Sequence, residues 1–386
     1  MFVENLLKRN PDLINQVYKF HRENKIDPDT FVIDLDTFLI NAKKLKENAD
    51  KKNIRLFFML KQLGRNPYLA RKLVDIGYDG AVVVDFREAQ IMMKNNIPIC
   101  NAGHLVQIPN GFLKKLMSYG AEFITVYSLE KLELINTIAR ELGIVQKIMV
   151  RVVSDDDLLY DGQEAGFFPN ELEKLLQASK QLKNIEIKGV TNFPTFLYDE
   201  SSNTIKETNN LSTLKKAVKF FRDNNIEIEE INMPSATSIA NLDLIKEHGG
   251  TSGEPGHGLT ASTPLSKYTD TVELPCVCYL TEVSHNFKNK SKVYGGGIYR
   301  RGHMEKAIVK EYDSSQELVK IKPTNLESID YYFELDKQYD IGTTVILSFR
   351  FQIFVTRSNV VIIEGIRNNK AKIVGIYNSL GDKYEN

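Results

Sequence analysis

The sequence predicts a parallel (β/α)8, or TIM, barrel followed by a separate β domain, and three observations support this fold class. Counted from residue 54, eight short apolar runs alternate with helical patterns over about two hundred residues, the size and rhythm of such a barrel. No glycine-rich nucleotide fingerprint follows the first run, so the barrel is preferred over the doubly wound open sheet that periodicity alone leaves open. After Pro264 short β-type runs follow one another without a long helix, which indicates a new domain.

The elements are predicted as follows in chain order. Helical patterns precede the barrel at residues 4–24 and up to Leu45, with a short strand at 31–35 between them. Barrel strands are predicted at 54–61, 80–84, 97–100, 123–127, 147–153, 185–190, 229–233 and 248–252. Helices between them are predicted at 65–76, 86–95, 129–142, 170–182 and 211–224. Strands of the β domain are predicted at 276–283, 307–310, 318–321, 344–349 and 360–363. The chain therefore divides into an N-terminal helical segment (1–29), a barrel (30–264) and a C-terminal β domain (265–386).

The composition is that of an ordinary globular chain. Of 386 residues 42% are hydrophobic, and 50 basic side chains balance 50 acidic ones, so no bulk charge favours nucleic acid or an anionic membrane as a partner. The first residues lack a signal-peptide pattern and no run approaches the length of a membrane span, so we expect a cytoplasmic protein. Three cysteines are too few for a disulfide framework, and Cys276-Val-Cys278 lacks the usual zinc spacing, so we expect no metal site.

A lysine closes the first predicted barrel strand. Lys61 ends an apolar run that reads as buried on both faces, and a Gly, an Asn and a Pro follow before the next helix. An ammonium group in that position must be hydrated, paired or deprotonated. Taken alone, Lys61 is most simply a strand-end lysine that reaches solvent.

Polar residues close the later strands as well, and barrel active sites are built from strand carboxyl ends and the loops that follow. These positions collect Lys61, Arg151, Asn192, Ser235, Thr237, Glu254 and His257. The set contains a lysine able to form a Schiff base, small hydroxyls suited to a phosphate and one carboxylate. It therefore fits pyridoxal 5'-phosphate better than a metal or a nucleotide.

Several segments match a known pattern. They are Phe31-Val-Ile-Asp-Leu-Asp-Thr-Phe-Leu before the lysine strand, Ala81-Val-Val-Val-Asp-Phe-Arg-Glu-Ala89, Phe123-Ile-Thr-Val-Tyr-Ser-Leu-Glu130 and, most specific, Glu254-Pro-Gly-His257. Together they resemble the fold-type III pyridoxal-phosphate enzymes, the alanine racemase-like barrels, and within them the YhfX-type proteins. The last segment resembles the Glu-Pro-Gly-Arg motif of the ornithine and diaminopimelate decarboxylases, with His257 in place of the arginine. The resemblance spans about residues 30–300.

This resemblance implies that pyridoxal phosphate is the cofactor and that Lys61 holds it as a Schiff base and exchanges protons with the substrate Cα. Arg151 would lie beside the phenolic oxygen of the cofactor, and Glu254 would face its pyridine nitrogen, where alanine racemases carry arginine. Asn192 stands where many relatives place a histidine beside the ring. The phosphate would be bound by Ser235, Thr237, Gly256 and His257, with Arg65 as a further ligand.

Structural interpretations compete with several of these roles. Arg151 could instead bridge acidic loop residues such as Asp155. Asn192 and Arg65 could be turn and surface residues, and Ser235-Ala-Thr237 could only cap the following helix. The set as a whole carries more weight than any single member.

The reaction that the resemblance implies depends on one segment of the β domain, Lys292-Val-Tyr-Gly-Gly-Gly-Ile-Tyr-Arg-Arg301. Tyr294 resembles the β-domain tyrosine that opposes the lysine in alanine racemases, with Tyr299 as the alternative. The Cys-Glu-x-Gly-Asp-type motif of the decarboxylases is absent from the sequence. The implied function is amino-acid racemisation through a Cα carbanion, in a homodimer whose β domain completes the partner's site. The alternatives are a pyridoxal-phosphate lyase, either a decarboxylase or an aldolase-like enzyme, and a noncatalytic pyridoxal-phosphate homeostasis protein, which the dedicated β domain argues against.

Overall fold

The computed structural model describes residues 1–311, 315–325 and 327–385, and these form two compact units. The barrel unit comprises Lys43–Leu60 and Pro67–Gly256, and the β unit comprises Met1–Ala42, Lys61–Asn66 and His257–Asn386. Each unit is therefore discontinuous along the chain. The three consecutive segments that the sequence predicts stay a prediction.

The strands and helices of the described residues are numbered in chain order. The strands are β1 (Thr30–Asp34), β2 (Arg55–Phe58), β3 (Gly80–Val83), β4 (Ile99–Ala102), β5 (Phe123–Val126), β6 (Gln146–Arg151), β7 (Ile185–Thr191), β8 (Phe196–Asp199), β9 (Thr204–Glu207), β10 (Glu230–Asn232), β11 (Ser252–Gly253), β12 (Val277–Phe287), β13 (Lys290–Tyr294), β14 (Lys306–Lys310), β15 (Glu317–Lys322), β16 (Tyr332–Leu335), β17 (Thr344–Leu347), β18 (Asn359–Glu364) and β19 (Lys372–Tyr377). The helices are α1 (Phe2–Arg9), α2 (Pro11–Arg22), α3 (Leu35–Asp50), α4 (Pro67–Ile76), α5 (Phe86–Lys94), α6 (Asn110–Tyr119), α7 (Leu129–Leu142), α8 (Leu172–Ser179), α9 (Asn209–Asp223), α10 (Leu242–Glu247) and α11 (Pro264–Tyr268).

The barrel unit is a closed parallel barrel, which confirms the predicted fold class. Over the described ranges eight strands follow one another around it in the order β2, β3, β4, β5, β6, β7, β10, β11, and β11 pairs with β2 to close the ring. β3, β4 and β5 are buried along their whole length, as expected for strands covered on both faces. The antiparallel hairpin β8–β9, inserted after β7, is not predicted from the sequence.

Local capping explains why helices begin where barrel strands end. The Asp85 carboxylate accepts a hydrogen bond from the Glu88 backbone N–H at 2.8 Å, and the Glu88 carboxylate accepts one from the Val84 N–H at 2.7 Å. Ser128 caps α7 in the same way, and that helix ends at Gly143, whose φ of +68° is the left-handed conformation typical of helix ends. These caps fix the direction in which the chain leaves each strand.

One arginine joins the amino ends of several barrel strands. Arg55, the first residue of β2, donates hydrogen bonds to Asp79, Glu122 and Glu230 at 2.8–2.9 Å. The Glu230 side chain is only 2% exposed. Residues at this end of a barrel serve stability rather than catalysis.

The β unit is built on a sheet in which β1 is an interior strand, placed between β12 and β18. Within the described residues the sheet has nine strands in the order β13, β16, β15, β14, β17, β12, β1, β18, β19. Phe31 in β1 lies opposite Tyr279 of antiparallel β12 and Val360 of parallel β18. The Phe31 ring also packs against Tyr279, Phe349 and Phe351 at centroid distances of 5.0–6.0 Å.

Several predicted elements differ from the structure in their bounds, and two of the differences have a clear local cause. The helix predicted over residues 4–24 is two helices, α1 and α2, because Pro11 has no N–H and Asn10 instead caps α2 by accepting from the Leu13 N–H. The strand predicted over 248–252 is displaced to Ser252–Gly253, because residues 248–250 form the end of α10 and a turn. None of the helices in the described part of the chain has the length and apolarity needed to cross a membrane.

Candidate active site

Six of the predicted site residues, one of them Gly256, lie in the barrel unit, at or after the carboxyl ends of its strands. Arg151 ends β6, Asn192 follows β7, Ser235 and Thr237 follow β10, and Glu254 follows β11. Because the strands are parallel, these ends share one rim of the barrel.

Arg151 is buried and fixed by hydrogen bonds. Its Nη1 donates to the His104 carbonyl at 3.1 Å and to the Tyr127 hydroxyl at 3.2 Å, and its Nη2 donates to the Gln163 carbonyl at 2.7 Å. Its Nε–H is buried and has no hydrogen-bond partner among the described residues. The guanidinium is therefore held by carbonyl and phenol oxygens, and not through a bridge to Asp155 as the structural interpretation expects.

Tyr127 belongs to the same cluster. Its hydroxyl donates to the His104 carbonyl, the acceptor that it shares with Arg151. Burial raises the pKa of Tyr127, although the neighbouring Arg151 charge opposes the shift. The phenol therefore stays a neutral hydrogen-bond donor at physiological pH.

Glu254 is positioned by the loop that follows the neighbouring strand. Its backbone N–H donates to the Thr237 hydroxyl oxygen at 2.9 Å, and its side chain is only 3% exposed. The preceding residue is Gly253, where a Cβ would lie 2.8 Å from the Thr237 Cγ2, so glycine is needed for this close approach. The Thr237 hydroxyl therefore joins the loop after β10 to the residue that follows β11. Thr237 also precedes the helical turn Ile239–Asn241.

His104 is a candidate site residue that the sequence analysis missed. It is buried, its Nδ1 lies 3.8 Å from the Glu254 carboxylate, and its ring contacts the Phe193 ring edge-on at 5.9 Å. The missed signal is a strand boundary. The strand predicted at 97–100 is Ile99–Ala102, so His104 comes two residues after a strand end, as other site residues do.

Ser235 and Ala236 adopt an unusual backbone conformation after β10. Their φ angles are +91° and +53°, in the left-handed region that costs non-glycine residues about 1–3 kcal/mol each. The Ser235 hydroxyl donates to the Phe196 carbonyl at 2.7 Å, and the Ser235 carbonyl accepts from Asn241. Such strain is concentrated at functional sites in other proteins, and here it lies between the strand end and Thr237.

Asn192 is engaged by its own neighbours. Its Nδ2 donates to Asp157 at 2.7 Å and to the Asn210 carbonyl at 3.2 Å, and its Oδ1 accepts from the Phe193 N–H and from the Asn210 side chain. These contacts use both amide hydrogens and both lone pairs. The structure therefore gives Asn192 the task of holding loops together, and its role beside a cofactor ring stays a prediction.

Lys61, Arg65 and His257 group with the β unit. Lys61 opens a 3₁₀ turn, Lys61–Leu63, and is partly exposed. Arg65 has a φ of +54°, is buried, and places its guanidinium carbon 5.3 Å from the centre of the Phe354 ring, so it is not a surface residue. His257 contacts Ser262, Arg350 and Gln352 through its ring nitrogens. Gly256, the last residue of the barrel unit, is buried.

Tyr294 closes β13 on an exposed part of the β unit. Its side chain is 36% exposed and its ring lies 6.0 Å from the ring of Tyr332 on the paired strand β16. The loop that follows is held by Asp330, whose carboxylate accepts from the backbone N–H groups of Gly296 and Ile298. Tyr299 lies farther along this loop and lines a cavity of about 820 Å³.

Comparison with known proteins identifies the family. Residues 33–264 match the alanine racemase N-terminal domain family, and residues 278–373 match the YhfX-like C-terminal domain family. The chain belongs to the alanine racemase-like, fold-type III family. It is 41% identical to the uncharacterized protein YhfX of Escherichia coli strain K12 over 387 residues, which covers 99% of each chain. The resemblance to this family and to the YhfX-type proteins is thereby confirmed.

Solved structures similar to this alanine racemase-like chain carry several different activities. D-threonine aldolase from Filomicrobium marinum has a TM-score of 0.70 at 14% identity, with 92% of this chain and 95% of that chain covered. Diaminopimelate decarboxylase from Helicobacter pylori complexed with L-lysine has a TM-score of 0.68 at 16% identity, with 92% and 95% covered. Alanine racemase from Clostridium difficile 630 has a TM-score of 0.64 at 16% identity, with 91% and 98% covered. At these identities the likeness shows that the fold is shared. It does not show that the reaction is shared.

Proposed function

We propose that this chain is a pyridoxal-phosphate-dependent amino-acid racemase in which Lys61 and Tyr294 exchange protons with opposite faces of the substrate Cα. Racemisation needs one acid–base group on each face, because the proton leaves one side and returns on the other. The observation that carries the proposal is the exposed phenol of Tyr294 at the end of a β-unit strand, in a chain that also carries Lys61.

The polar groups of the barrel rim fit pyridoxal phosphate by the chemistry of their donors and acceptors. The buried Arg151 Nε–H, with no partner among the described residues, suits an anionic oxygen. The buried Glu254 carboxylate suits a protonated ring nitrogen, and Ser235 and Thr237 supply hydroxyls. When bound, this cofactor withdraws electrons from Cα and so acidifies the Cα proton. We propose that Lys61 and Arg151 hold it with Glu254, and that Gly256, His257 and Arg65 contribute to its phosphate site.

A homodimer would supply the second acid–base group. Tyr294 contacts the exposed Tyr332, and the β unit exposes further large apolar side chains, among them Ile329, Tyr331 and Val355. Tyr331 is 62% exposed, and its ring lies 5.8 Å from the Arg357 guanidinium. Arg357, Ile329 and Val355 line the same cavity. An apolar surface of this kind is typical of protein–protein interfaces. We propose that a second copy covers it and receives Tyr294, or alternatively Tyr299, into its own site.

A second candidate is a pyridoxal-phosphate lyase, either a decarboxylase or an aldolase-like enzyme. Glu254 favours it, because a carboxylate at the ring nitrogen strengthens the electron sink that bond cleavage at Cα requires. The third alternative, a noncatalytic pyridoxal-phosphate homeostasis protein, is disfavoured by the elaborate β unit.

A panel of L- and D-amino acids tests these candidates. The protein loaded with pyridoxal phosphate is incubated with each amino acid in D₂O, followed by chiral chromatography and mass spectrometry. A racemase converts one amino acid to both enantiomers with deuterium at Cα, and Lys61→Ala abolishes this conversion. Release of carbon dioxide or an aldehyde without racemisation identifies the lyase instead. Absence of any turnover, with the cofactor bound, supports the noncatalytic alternative.

A further inference from the structure

Three consecutive glycines separate the two tyrosines that are candidates for the second acid–base group. Gly295, Gly296 and Gly297 follow Tyr294, and Tyr299 comes two residues after the last of them. All three glycines are buried. A run of glycines in a loop ordinarily has many backbone conformations open to it, because glycine has no Cβ. In the β unit, however, each of these glycines is enclosed by its neighbours.

Asp330 holds this segment through its carboxylate and its backbone. Its Oδ2 accepts hydrogen bonds from the backbone N–H groups of Gly296 at 3.2 Å and Ile298 at 3.4 Å. A Cβ on Gly295 would overlap the Asp330 carbonyl oxygen, so only glycine fits at this close approach. Arg357 fixes Asp330 in turn, because its Nη1 donates to the Oδ1 at 2.7 Å and its Nη2 donates to the carbonyl oxygen at 3.0 Å.

Asp29 packs against the same segment from another element. Its Oδ2 takes the space of a Cβ on Gly296, whose φ of +127° side chains rarely adopt. Its Oδ1 accepts hydrogen bonds from the Tyr279 hydroxyl at 2.8 Å and from the Ser358 hydroxyl. A Cβ on Gly297 would overlap the Tyr279 ring. Burial, followed by the charge of Asp29, raises the pKa of Tyr279, so the phenol stays a neutral donor to this carboxylate at physiological pH.

Arg357 links the two carboxylates to one stretch of backbone. Its backbone N–H donates to the Gly296 carbonyl at 3.4 Å, in addition to its side-chain bonds with Asp330. Its charge also opposes the rise in pKa that burial causes at Asp29. Gly296 is therefore bound at its N–H by Asp330 and at its carbonyl by Arg357. Because Asp29 fills the space beside its Cα, the backbone at Gly296 has little freedom to move.

We infer that Asp29 and Asp330 are positioning residues for the second acid–base group, because together they hold Gly295–Gly297 and so fix the tyrosine that adjoins it. This inference rests on the proposed function and deepens it. A phenol exchanges a proton with Cα only when its oxygen lies within hydrogen-bond reach, and a displacement of about 1 Å can lower a rate by about a hundredfold. Three unrestrained glycines would not keep Tyr294 or Tyr299 within such a limit.

Exchange of the Cα hydrogen separates a displaced tyrosine from a general loss of structure. In D₂O, Lys61 can remove the Cα proton of one enantiomer and return a deuteron to the same face, which labels the amino acid without inverting it. Inversion also needs the tyrosine on the opposite face. Both rates are measured by chiral chromatography and mass spectrometry, with the amino acid found by the panel and proteins loaded with pyridoxal phosphate. The proteins are wild type and the alanine and asparagine variants of Asp29 and Asp330. Asp340→Ala, at an exposed carboxylate of the β unit, is the matched control.

We expect Asp29→Ala and Asp330→Ala to lower the rate of inversion by about tenfold or more and to leave the rate of labelling with retention unchanged. Asp29→Asn and Asp330→Asn keep the shape of the side chain and one acceptor oxygen, so they lose less. They also supply the result where an alanine variant does not fold. Asp340→Ala changes neither rate. Amide hydrogen exchange of residues 294–301 is faster in the two alanine variants, because the segment loses its contacts.

Equal losses of inversion and of labelling with retention would overturn the inference, since they indicate a general loss of structure. Unchanged inversion in both alanine variants would overturn it as well, while the proposed function stands. If the wild type inverts no amino acid, the proposed function fails, and amide exchange alone tests how the segment is held. Faster exchange of residues 294–301 in the alanine variants then supports the holding of the segment by the two carboxylates, and unchanged exchange overturns it.

Discussion

The Thr237 hydroxyl oxygen accepts a hydrogen bond from the backbone N–H of Glu254 at 2.9 Å. This contact joins the loop after β10 to the residue that follows β11, where the rim of the barrel carries a buried carboxylate. The position of Glu254 therefore depends on a side chain from the loop that follows the neighbouring strand.

We expect Thr237→Val to destabilise the protein by about 1–3 kcal/mol, because the substitution keeps the shape of the side chain but leaves a buried N–H without its acceptor. Thr237→Ser keeps the hydroxyl and is the matched control. Urea unfolding of the three proteins measures the difference. Equal stability of Thr237→Val and wild type would show that the N–H finds another acceptor.

We expect Glu254→Gln to retain the cofactor but to lower the turnover number by about tenfold or more, because one pKa unit at the ring nitrogen corresponds to about 1.4 kcal/mol. The loss falls on turnover more than on substrate binding, since the carboxylate stabilises charge that develops in the transition state. Steady-state kinetics on the substrate found by the panel, with thermal unfolding as control, measure both quantities. A changed melting temperature with unaltered turnover would place Glu254 away from the ring.

Arg55→Met should destabilise the barrel by about 3 kcal/mol, because it leaves the buried Glu230 carboxylate without the cation that compensates it. Lys52→Met is the control, since its partner Asp243 is 82% exposed and such a surface pair contributes about 0–1 kcal/mol. Chemical unfolding of both variants gives the comparison. Similar losses in the two would mean that Arg55 acts only as a surface charge.

His257 predicts a pH dependence of stability. Its pKa is lowered in the folded state, whereas an unfolded histidine titrates near about 6.5, so the unfolded chain binds the extra proton first as the pH falls. The stability that the neutral ring contributes is therefore present above about pH 6.5 and decreases below it, by up to about 1.4 kcal/mol per pH unit.

We thus expect the stability difference between wild type and His257→Gln to narrow between about pH 7.5 and pH 5.5. The exposed His285 serves as the control in His285→Gln. Long-range ¹H–¹⁵N spectra should show the His257 proton on Nδ1 throughout this range, because Nε2 accepts from the Arg350 Nε–H. A doubly protonated His257 ring at pH 6 would contradict the lowered pKa.

Mixing two inactive variants tests the shared site. If Tyr294 acts in the site of a second copy, Lys61→Ala and Tyr294→Phe chains each lack activity, but mixed dimers contain one site with both residues intact and regain part of it. Activity after mixing, set against each variant alone and against sedimentation of the wild type, is the measurement. A fully active monomer would exclude a site completed by a partner.

The barrel could be predicted because its strands are nearly continuous apolar runs separated by helical patterns, a local signal. β11 was misplaced because two residues, Ser252 and Gly253, suffice to close the ring and carry no apolar signal. β13 escaped prediction because buried Ser291 and Val293 alternate with Lys290 and Lys292, which leaves too short an apolar pattern.

Contacts between residues that are far apart in the chain cannot be predicted from a local sequence pattern. The pairing of β1 with β12 and β18 depends on residues far apart in the chain. The contact between His104 and Glu254 depends on where β4 ends, and a two-residue shift in that boundary concealed it. The link from Arg350 to His257 needs the folded β unit.

The interior position of β1, between β12 and β18, also affects how the chain folds during synthesis and how it can be cut into fragments. During translation β1 leaves the ribosome long before β12 and β18. Its backbone N–H and C=O groups therefore lack their strand partners while the intervening barrel strands are synthesised. A nascent chain stalled within the barrel thus carries an unsatisfied strand that is open to wrong partners. For the same reason, a fragment limited to residues 278–373, the stretch that matches the YhfX-like C-terminal domain, would lack β1, the strand that lies between β12 and β18. The stretch that matches this C-terminal family is therefore smaller than the β unit to which it belongs.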